Sequence, residues 1–171
     1  MGPPSRYAIL PDDYSGQGKN TKDTKKFKGN ANLELSGGGD AQVPKKKVIQ
    51  TDKAAAPVGP YSQAIRYGDM VYVAGEKGIS PETGKIVEGG IAAETRQTLD
   101  NVKAILEEAG LSMDDAVRSV VYVTDLSEFG TMNDVYAEYF KVDPPGRTTV
   151  EVTSLPAGAH VEIEITAARQ S

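Results

Sequence analysis

The sequence of 171 residues contains no cysteine and a single histidine, His160. Disulfides, thiolate metal sites and a cysteine nucleophile are therefore excluded, and a reducing cytoplasm is the natural setting. Metal binding is disfavoured, because carboxylates would have to supply nearly all of the ligands. No apolar run approaches the ~18 residues of a membrane span, and the N-terminus lacks the apolar stretch of a signal peptide. We therefore expect a soluble, cytoplasmic protein without a metal site.

Positive charge is also in short supply, since 19 Lys and Arg face 24 Asp and Glu and the formal net charge is −5. A surface of this sign repels phosphate backbones, so a nucleic-acid partner is not expected. The cationic run from Lys19 to Lys28 is interrupted by polar residues and holds one aromatic residue, Phe27. We interpret it as a solvated linker rather than as a basic arm that binds nucleic acid.

Residues 1–44 differ in composition from the rest of the chain. They are rich in Gly, Asn, Lys, Asp and Ser, and their apolar residues fall mainly in two groups, Tyr7–Leu10 and Leu33–Leu35. Such a segment buries too little apolar surface to offset its ordering entropy. We interpret it as a low-complexity extension or linker, with Ser36–Gly39 as a flexible and even engineered junction. Tyr7–Leu10 is also compatible with a short docking strand.

From residue 45 onward, strand-like and helix-like periods alternate at the spacing of one compact domain, residues 45–171. Two amphipathic patterns predict helices, and alternating or β-branched runs between turn residues predict strands. The predicted helices are Ile91–Ala109 and Glu128–Phe140, and the predicted strands are Lys47–Gln50, Ser62–Tyr67, Met70–Ala74, Val117–Thr124, Thr148–Ser154 and His160–Ala167. The order βββαβαββ indicates an α+β fold.

The predicted helices and strands also indicate how the layers pack. Each amphipathic helix has one apolar stripe to bury, so both helices are expected on one face of a single mixed sheet. The strands carry more apolar residues than one helical layer would cover: Tyr72, Val121, Val123, Val150, Val152, Ile163 and Ile165. The opposite face therefore needs a partner, and self-association through the sheet is expected.

Three stretches of the domain carry motifs that occur in one order over nearly all of residues 46–170. They are APVGPYSQAI at Ala56–Ile65, the region from VAG to PETG at Val73–Gly84, and PGRTTVEV at Pro145–Val152 followed by LPAG and VEIE. The helix sequence ETRQTLDNVK at Glu94–Lys103 lies between them. Taken together, these motifs resemble the RidA/YjgF (UK114) family of imine deaminases, whose fold is chorismate-mutase-like.

The resemblance implies a homotrimer with a barrel-like core of sheets, helices outside and small-molecule clefts at the subunit interfaces. Members of the family hydrolyse 2-imino acids, such as 2-iminobutanoate and 2-iminopropanoate, to 2-oxo acids and ammonia without a cofactor. By position, Arg147 is the carboxylate-binding arginine, Tyr61 is the tyrosine of the Gly-Pro-Tyr motif, and Glu162 lies near the reacting imine. Thr149 and Gly75 complete the expected substrate-binding set.

The chemistry of these side chains agrees with the implied roles. A planar guanidinium such as that of Arg147 holds a carboxylate through two parallel hydrogen bonds, a contact of roughly 1.5 to 3 kcal/mol. Hydrolysis of a protonated imine then requires an oriented water and hydrogen bonds to the tetrahedral species. Glu162 suits the first task, Tyr61 suits the second, and backbone groups near Thr149 suit the binding of the water or the amino group.

Plainer roles for the same residues are also compatible with the sequence. Arg147 follows a Pro-Pro-Gly turn and suits a surface ion pair. Glu162 suits the solvated face of an edge strand, and Tyr61 suits ordinary packing. His160 is most simply a turn residue at the start of a strand.

The chain departs from the family at two positions. Glu76 stands where many relatives carry glutamine, and Thr149 stands where a cysteine is frequent. If Glu76 faces the cleft, its charge weakens binding of an anionic substrate. The competing functions are a non-catalytic regulator that binds small 2-oxo or 2-imino acids, an RNA-directed translation inhibitor or ribonuclease, and a trimeric scaffold that displays residues 1–44.

The composition of residues 1–44 predicts that they are dispensable for the domain that follows. A chain that begins at Pro44 should keep the thermal midpoint of the full chain and its rate of imine hydrolysis, because the deleted segment contributes little to a core. Calorimetry and a coupled deaminase assay on both chains measure these quantities. A lower midpoint or a lost oligomer after truncation would show that the segment docks.

Overall fold

The computed structural model describes residues 44–169, in which one mixed β-sheet and two α-helices form. The strands are β1 (Lys47–Ile49), β2 (Ala64–Tyr67), β3 (Met70–Lys77), β4 (Ala116–Val123), β5 (Gly146–Glu151) and β6 (Val161–Ala168). The helices are α1 (Gly90–Glu108) and α2 (Phe129–Tyr139). The predicted order βββαβαββ is confirmed. Over this part of the chain, neither helix combines the length and apolar character that a membrane span requires.

The sheet places the last strand of the chain in its middle. The strand order is β1-β2-β3-β6-β4-β5, and every neighbouring pair is antiparallel except β4 and β5. A parallel pair needs a long crossover, which α2 supplies. Both helices share one core with the strands, so they lie on the same face of the sheet. This core includes Leu99, Val102 and Ile105 of α1, Met132 and Tyr136 of α2, and Val71, Val121, Ile163 and Ile165 of the strands.

The predicted start of β5 is wrong in a way that matters for the site. Pairing with β4 begins at Gly146 opposite Arg118, two residues before the predicted start at Thr148. Arg147 therefore lies inside a strand, opposite Ser119, rather than between the Pro-Pro-Gly turn and the strand. The parallel ladder fixes the direction of its side chain, because neighbours on paired strands share one face of a sheet.

The apolar surface that the helices leave uncovered is smaller than the sequence predicts. Of the seven strand residues whose combined apolar surface was expected to exceed what one helical layer covers, four are buried in the chain's own core: Val121, Val123, Ile163 and Ile165. Tyr72 and Val150 do remain exposed, at 47% and 39%. The uncovered face also carries Glu162, Glu164 and Tyr122, since these residues alternate with the buried ones along β4 and β6. It is therefore a mixed surface rather than an apolar one.

A bulge in β3 reverses the alternation of its side chains. The register shifts between Val73 and Glu76, after which Glu76 pairs with Ile163 and Lys77 pairs with Glu162. Glu76 therefore lies on the core side of the sheet and is only 6% exposed. Burial raises the pKa of the Glu76 carboxyl to about 7, against the opposing effect of the Lys77 ammonium. Glu76 therefore does not lie on the uncovered face of the sheet.

Helix α1 contacts both the end of β3 and the residue just before β6. The side-chain amide of Asn101 donates to the carbonyl oxygens of Lys77 and Ile79, at 3.1 and 2.9 Å. An added Cβ at Gly78 would lie 2.6 Å from the Cα of Glu94, so the end of β3 packs directly against the helix backbone. The buried carboxylate of Glu94 in turn accepts a hydrogen bond of 2.8 Å from the backbone N–H of His160, just before β6.

The His160 side chain, which the sequence predicted to be a plain turn residue, also pairs with Glu94. Its Nδ1 lies within hydrogen-bond distance of Oε1 of the carboxylate, while about half of the side chain stays exposed. The hydrogen bond to Glu94 and the negative charge of this carboxylate raise the pKa of the His160 imidazole above its ordinary value of 6.5. The folded chain therefore binds this proton more tightly than the unfolded chain does.

This difference in proton affinity predicts a stability contribution that depends on pH. The contribution is complete below about pH 6.5 and is lost as the pH rises through the raised pKa of His160. His160→Asn, which keeps the backbone contact to Glu94, should therefore lower Tm by roughly 2 to 4 °C at about pH 6. The gap should shrink as the pH rises through the raised pKa of His160, because the wild-type imidazole then also loses its charge. Thermal melts across this range provide the measurement, and a gap that widens with pH would contradict the assignment.

Candidate functional site

The first candidate pocket surrounds the carboxylate of Glu162 on the uncovered side of the sheet. This Glu162 pocket has a volume of about 300 Å³ and is lined by Val58, Tyr61, Ala74, Gly75, Lys77, Pro156 and Glu162. Three of the five predicted site residues are thus brought together. The remaining lining is mostly apolar, so the pocket suits a small organic molecule that meets one acid, one ammonium group and one phenol.

Gly75 leaves the space that the Glu162 carboxylate occupies. A Cβ built on Gly75 would lie 2.0 Å from Oε1 of Glu162 and 2.8 Å from its Cδ. Any side chain at position 75 would therefore displace the carboxylate. Gly75, which the sequence predicts to be a substrate-binding residue, therefore also leaves the room in which the Glu162 carboxylate lies.

The loop that precedes β2 presents Tyr61 to the Glu162 pocket. The Tyr61 hydroxyl accepts a hydrogen bond of 3.3 Å from the backbone N–H of Val58, and its ring is 44% exposed. Gln63, two residues after Tyr61, anchors this loop to the segment before it, because its buried side-chain amide forms hydrogen bonds with the backbone of Thr51 and Ala55. Tyr61 is therefore a pocket residue and is not buried in the core, although the loop that carries it is well anchored.

The second candidate pocket surrounds the guanidinium of Arg147, between β5 and α2. Its Nη2 donates to Oδ1 of Asn133 at 2.7 Å, and its Cζ lies 4.5 Å from the ring centroid of Tyr136 and 5.6 Å from that of Phe129. This Arg147 pocket has a volume of about 320 Å³ and is lined by Asn133, Tyr136, Ala137, Phe140, Pro144, Pro145 and Arg147. Burial raises the pKa of the Tyr136 hydroxyl, so the ring under the guanidinium stays uncharged.

The surface ion pair that the sequence allowed for Arg147 is not observed. Across residues 44–169 the salt bridges involve other cations, and the partners of Arg147 are one amide and two aromatic rings. A guanidinium held by cation–π contacts and one hydrogen bond keeps most of its N–H donors for another ligand. Thr149 lies two residues farther along β5, on the same face as Arg147.

The two pockets lie on opposite faces of the sheet within one chain. Ser119 pairs with both Arg147 and Ile165, which places Arg147 on the helix-covered face. Tyr122, three residues on, pairs with Glu162 on the uncovered face. A single copy therefore does not bring Arg147 and Thr149 together with Tyr61, Gly75 and Glu162, although the sequence grouped all five in one site. Elsewhere in the described residues, no cluster of acidic and histidine side chains could hold a metal ion.

Three residues of these pockets were missed by the reasoning from sequence. Asn133 and Tyr136 both lie on α2, whose amphipathic pattern predicts a helix but gives neither residue a role in binding. Lys77 was placed beyond the end of its strand. A search for polar residues at the rim of an apolar helical face would have found Asn133, but the role of Lys77 depends on the bulge in β3.

Comparison with known proteins shows the family. The model of the family described as Endoribonuclease L-PSP matches residues 51–169. A RutC family protein of Pyrococcus abyssi is 50% identical over 125 residues, which are 73% of this chain and 98% of that protein. The Mus musculus protein named 2-iminobutanoate/2-iminopropanoate deaminase is 41% identical over 119 residues, 70% of this chain and 88% of that protein.

A solved structure agrees with these relatives. The crystal structure of E. coli TdcF with bound serine matches with a TM-score of 0.70 and 38% identity, over 72% of this chain and 99% of TdcF. The fold and the sequence matches thus define a member of the family described as Endoribonuclease L-PSP. The chain therefore belongs to the RidA/YjgF family, which the sequence motifs predicted.

The contact between Gly75 and Glu162 predicts a specific effect of Gly75→Ala. The added Cβ cannot share the 2.0 Å space with Oε1, so the Glu162 carboxylate should swing away while the sheet register is kept. A crystal structure of the variant measures the displacement. Gly130→Ala in α2 is the control, because nothing lies within 4 Å of its added Cβ, and it should stabilise the fold by roughly 0.5–1 kcal/mol. An unmoved Glu162 in Gly75→Ala would contradict the steric assignment.

Proposed function

We propose that this chain hydrolyses 2-imino acids, such as 2-iminobutanoate and 2-iminopropanoate, to 2-oxo acids and ammonia without a cofactor. The observation that carries the proposal is the guanidinium of Arg147, which lines a pocket and is oriented by Asn133 and Tyr136. Among the described residues it has no carboxylate partner in the chain. A guanidinium in this setting is suited to a carboxylate that arrives with a ligand.

The names of two relatives support this choice of substrate. The mouse relative is named for deamination of the same two imino acids. TdcF is described with bound serine, a 2-amino acid whose carboxylate and neighbouring carbon correspond to those of a 2-imino acid. Both substrate and ligand share the carboxylate that Arg147 is suited to bind. They differ at the carbon where the imine nitrogen is attached, which is where water must add.

The reaction needs one base and one site for the departing nitrogen. Glu162 takes a proton from water as the oxygen bonds to C2 of the protonated imine, and the C=N electron pair moves onto nitrogen. Glu162 then returns this proton to the amino nitrogen of the tetrahedral adduct, and the C–N bond breaks with its electrons going to nitrogen as the C2 hydroxyl gives up its proton to Glu162. Ammonia and a 2-oxo acid leave. The apolar lining of the Glu162 pocket suits the short side chains of iminobutanoate and iminopropanoate.

The other predicted site residues support this sequence of steps. Tyr61 offers its hydroxyl to the tetrahedral adduct and covers the pocket with its ring. Gly75 has no side chain, and the space that a side chain would fill is occupied by the Glu162 carboxylate. Thr149, beside Arg147 on β5, offers backbone and hydroxyl groups to the substrate carboxylate or the water.

The complete cleft forms between two copies of the chain in a homotrimer. Because the Arg147 pocket and the Glu162 pocket lie on opposite faces of one sheet, one substrate cannot touch both within a single copy. A neighbour that supplies the second pocket removes this difficulty. The exposed side chains of Tyr72 and Val150 on the uncovered face also gain cover when three sheets meet in a barrel-like core.

Mixed trimers test the reaction and the shared cleft together. Arg147→Ala should lower kcat/KM by at least roughly tenfold, and Glu162→Gln should lower it by at least roughly a hundredfold. Arg147→Lys should also lower kcat/KM by about tenfold, because an ammonium lacks the fork geometry of a guanidinium. When the Arg147→Ala and Glu162→Gln chains are unfolded, mixed equally and refolded, roughly a quarter of wild-type activity should return, since a quarter of the clefts then pair two intact residues. Coupling to threonine dehydratase supplies the imine.

Four results would contradict parts of the proposal. No activity of the wild-type chain on freshly made 2-iminobutanoate would leave the site as a binder of small acids and would refute the enzyme. Full activity of both single variants would refute the assignment of Arg147 and Glu162. An active protein whose scattering mass corresponds to one chain of 18.2 kDa, rather than to three, would refute the shared cleft. No recovery of activity in verified mixed trimers would refute it as well.

A further inference from the structure

The bulge in β3 brings Lys77 to the face of the sheet that carries Glu162. Up to Val73 the odd-numbered residues of β3 point to the core, so an unbroken strand would also bury Lys77 under α1. The register shift moves Glu76 into that position and sets Lys77 directly opposite Glu162 on β6. Directly opposed residues of an antiparallel pair have neighbouring side chains. Bulges of this kind are frequent beside functional sites, where they redirect a side chain.

The Lys77 ammonium is enclosed in the Glu162 pocket rather than free in solvent. The residue is only 7% exposed, and its Nζ donates to the carbonyl oxygen of Gly75 at 2.9 Å. The same Nζ lies 3.4 Å from Oε2 of Glu162. A buried ammonium is costly unless an opposite charge and hydrogen bonds surround it. Glu162 supplies the charge and Gly75 supplies the second bond.

Glu76 is the other acid close to Lys77, and it is a poor counter-ion. It lies on the core side of the sheet, behind the strand backbone, where burial favours its neutral form. Asn101 holds the backbone of Lys77 from the same side. Helix α1 therefore fixes the backbone of Lys77, and the side-chain ammonium is directed to Glu162.

We infer that Lys77 is a positioning residue for Glu162, holding Oε2 of this carboxylate so that Oε1 alone is presented to the attacking water. The inference rests on the proposed function, in which Glu162 is the base. Gly75 takes part in both halves of the arrangement, because its carbonyl binds the ammonium and its missing side chain leaves room for Oε1. A carboxylate held at one oxygen loses little orientational freedom when it accepts the proton from water.

The ion pair itself can be tested without any measurement of activity. In the full-length wild-type chain with ¹⁵N-labelled lysine, the Lys77 ammonium should give an NMR signal that exchanges slowly with water, because it is enclosed and bonded. Lys103, an exposed lysine on α1, is the matched control and should exchange too fast to detect. Glu162→Gln should shift or broaden the Lys77 signal. A Lys77 signal that ignores this substitution, or that exchanges like Lys103, would overturn the inference.

Kinetics on 2-iminobutanoate test whether the pair matters for the reaction. Lys77→Met should lower kcat by about tenfold and leave KM within about twofold, because the base is misplaced while the substrate carboxylate is bound elsewhere. In a Glu162→Gln background the same change should cost less than about twofold, since a residue that acts through Glu162 has nothing left to position. Lys103→Met should leave both constants unchanged.

The outcomes separate this inference from the proposed function. A Lys77→Met chain whose KM rises about tenfold with kcat unchanged would make Lys77 a direct substrate ligand and would overturn the positioning role. Equal losses in both backgrounds would overturn it too. If Lys77→Met fails to fold, the NMR comparison of wild type with Glu162→Gln still decides whether the pair exists. If the wild-type chain has no deaminase activity, the proposed function fails, whereas the ion pair stands or falls by NMR.

Discussion

Strand β6 has a hydrogen-bonded neighbour on each side, and its alternate residues point to opposite faces of the sheet. Val161, Ile163 and Ile165 enter the core, and this burial fixes the register, because a slip of one residue would exchange every apolar side chain for a polar one. Glu162 must therefore lie on the uncovered face of the sheet. The core therefore fixes the backbone position of Glu162, and Gly75 and Lys77 are arranged around its carboxylate.

Arg147 reaches its position by a different route. It lies on the edge strand β5, where the parallel pairing with β4 depends on the crossover through α2. The same helix then supplies Phe129, Asn133 and Tyr136, so the element that creates the strand pairing also orients the guanidinium. A planar group held against an aromatic face loses few rotamers when it binds a carboxylate. The cost of ordering this side chain is met during folding rather than during ligand binding.

The parts of the structure that depend on local period could be predicted from the sequence. The helices and the order of strands along the chain follow from repeats of two and of 3.6 residues, whereas the motif residues were expected from the resemblance to the RidA/YjgF family. What could not be predicted depends on contacts between distant segments. The bulge that carries Lys77 to the uncovered face is fixed by pairing with β6, and the assignment of Val121 and Ile163 to the core depends on which face the helices cover. The separation of Arg147 from Glu162 likewise appears only when the register of β4 with both neighbours is known.

The paired charges of Lys77 and Glu162 have an electrostatic consequence for the approach of a ligand. A lone carboxylate at the base of a small apolar pocket would present a negative potential to every arriving anion, and the weak screening of an enclosed site would prolong the repulsion. With the ammonium beside it, the pocket holds a dipole of no net charge, whose potential falls off faster with distance. In the proposed cleft, where this pocket meets Arg147 of a neighbouring copy, an anion would therefore be drawn by the guanidinium without net repulsion from the acid, and a higher ionic strength would slow its encounter.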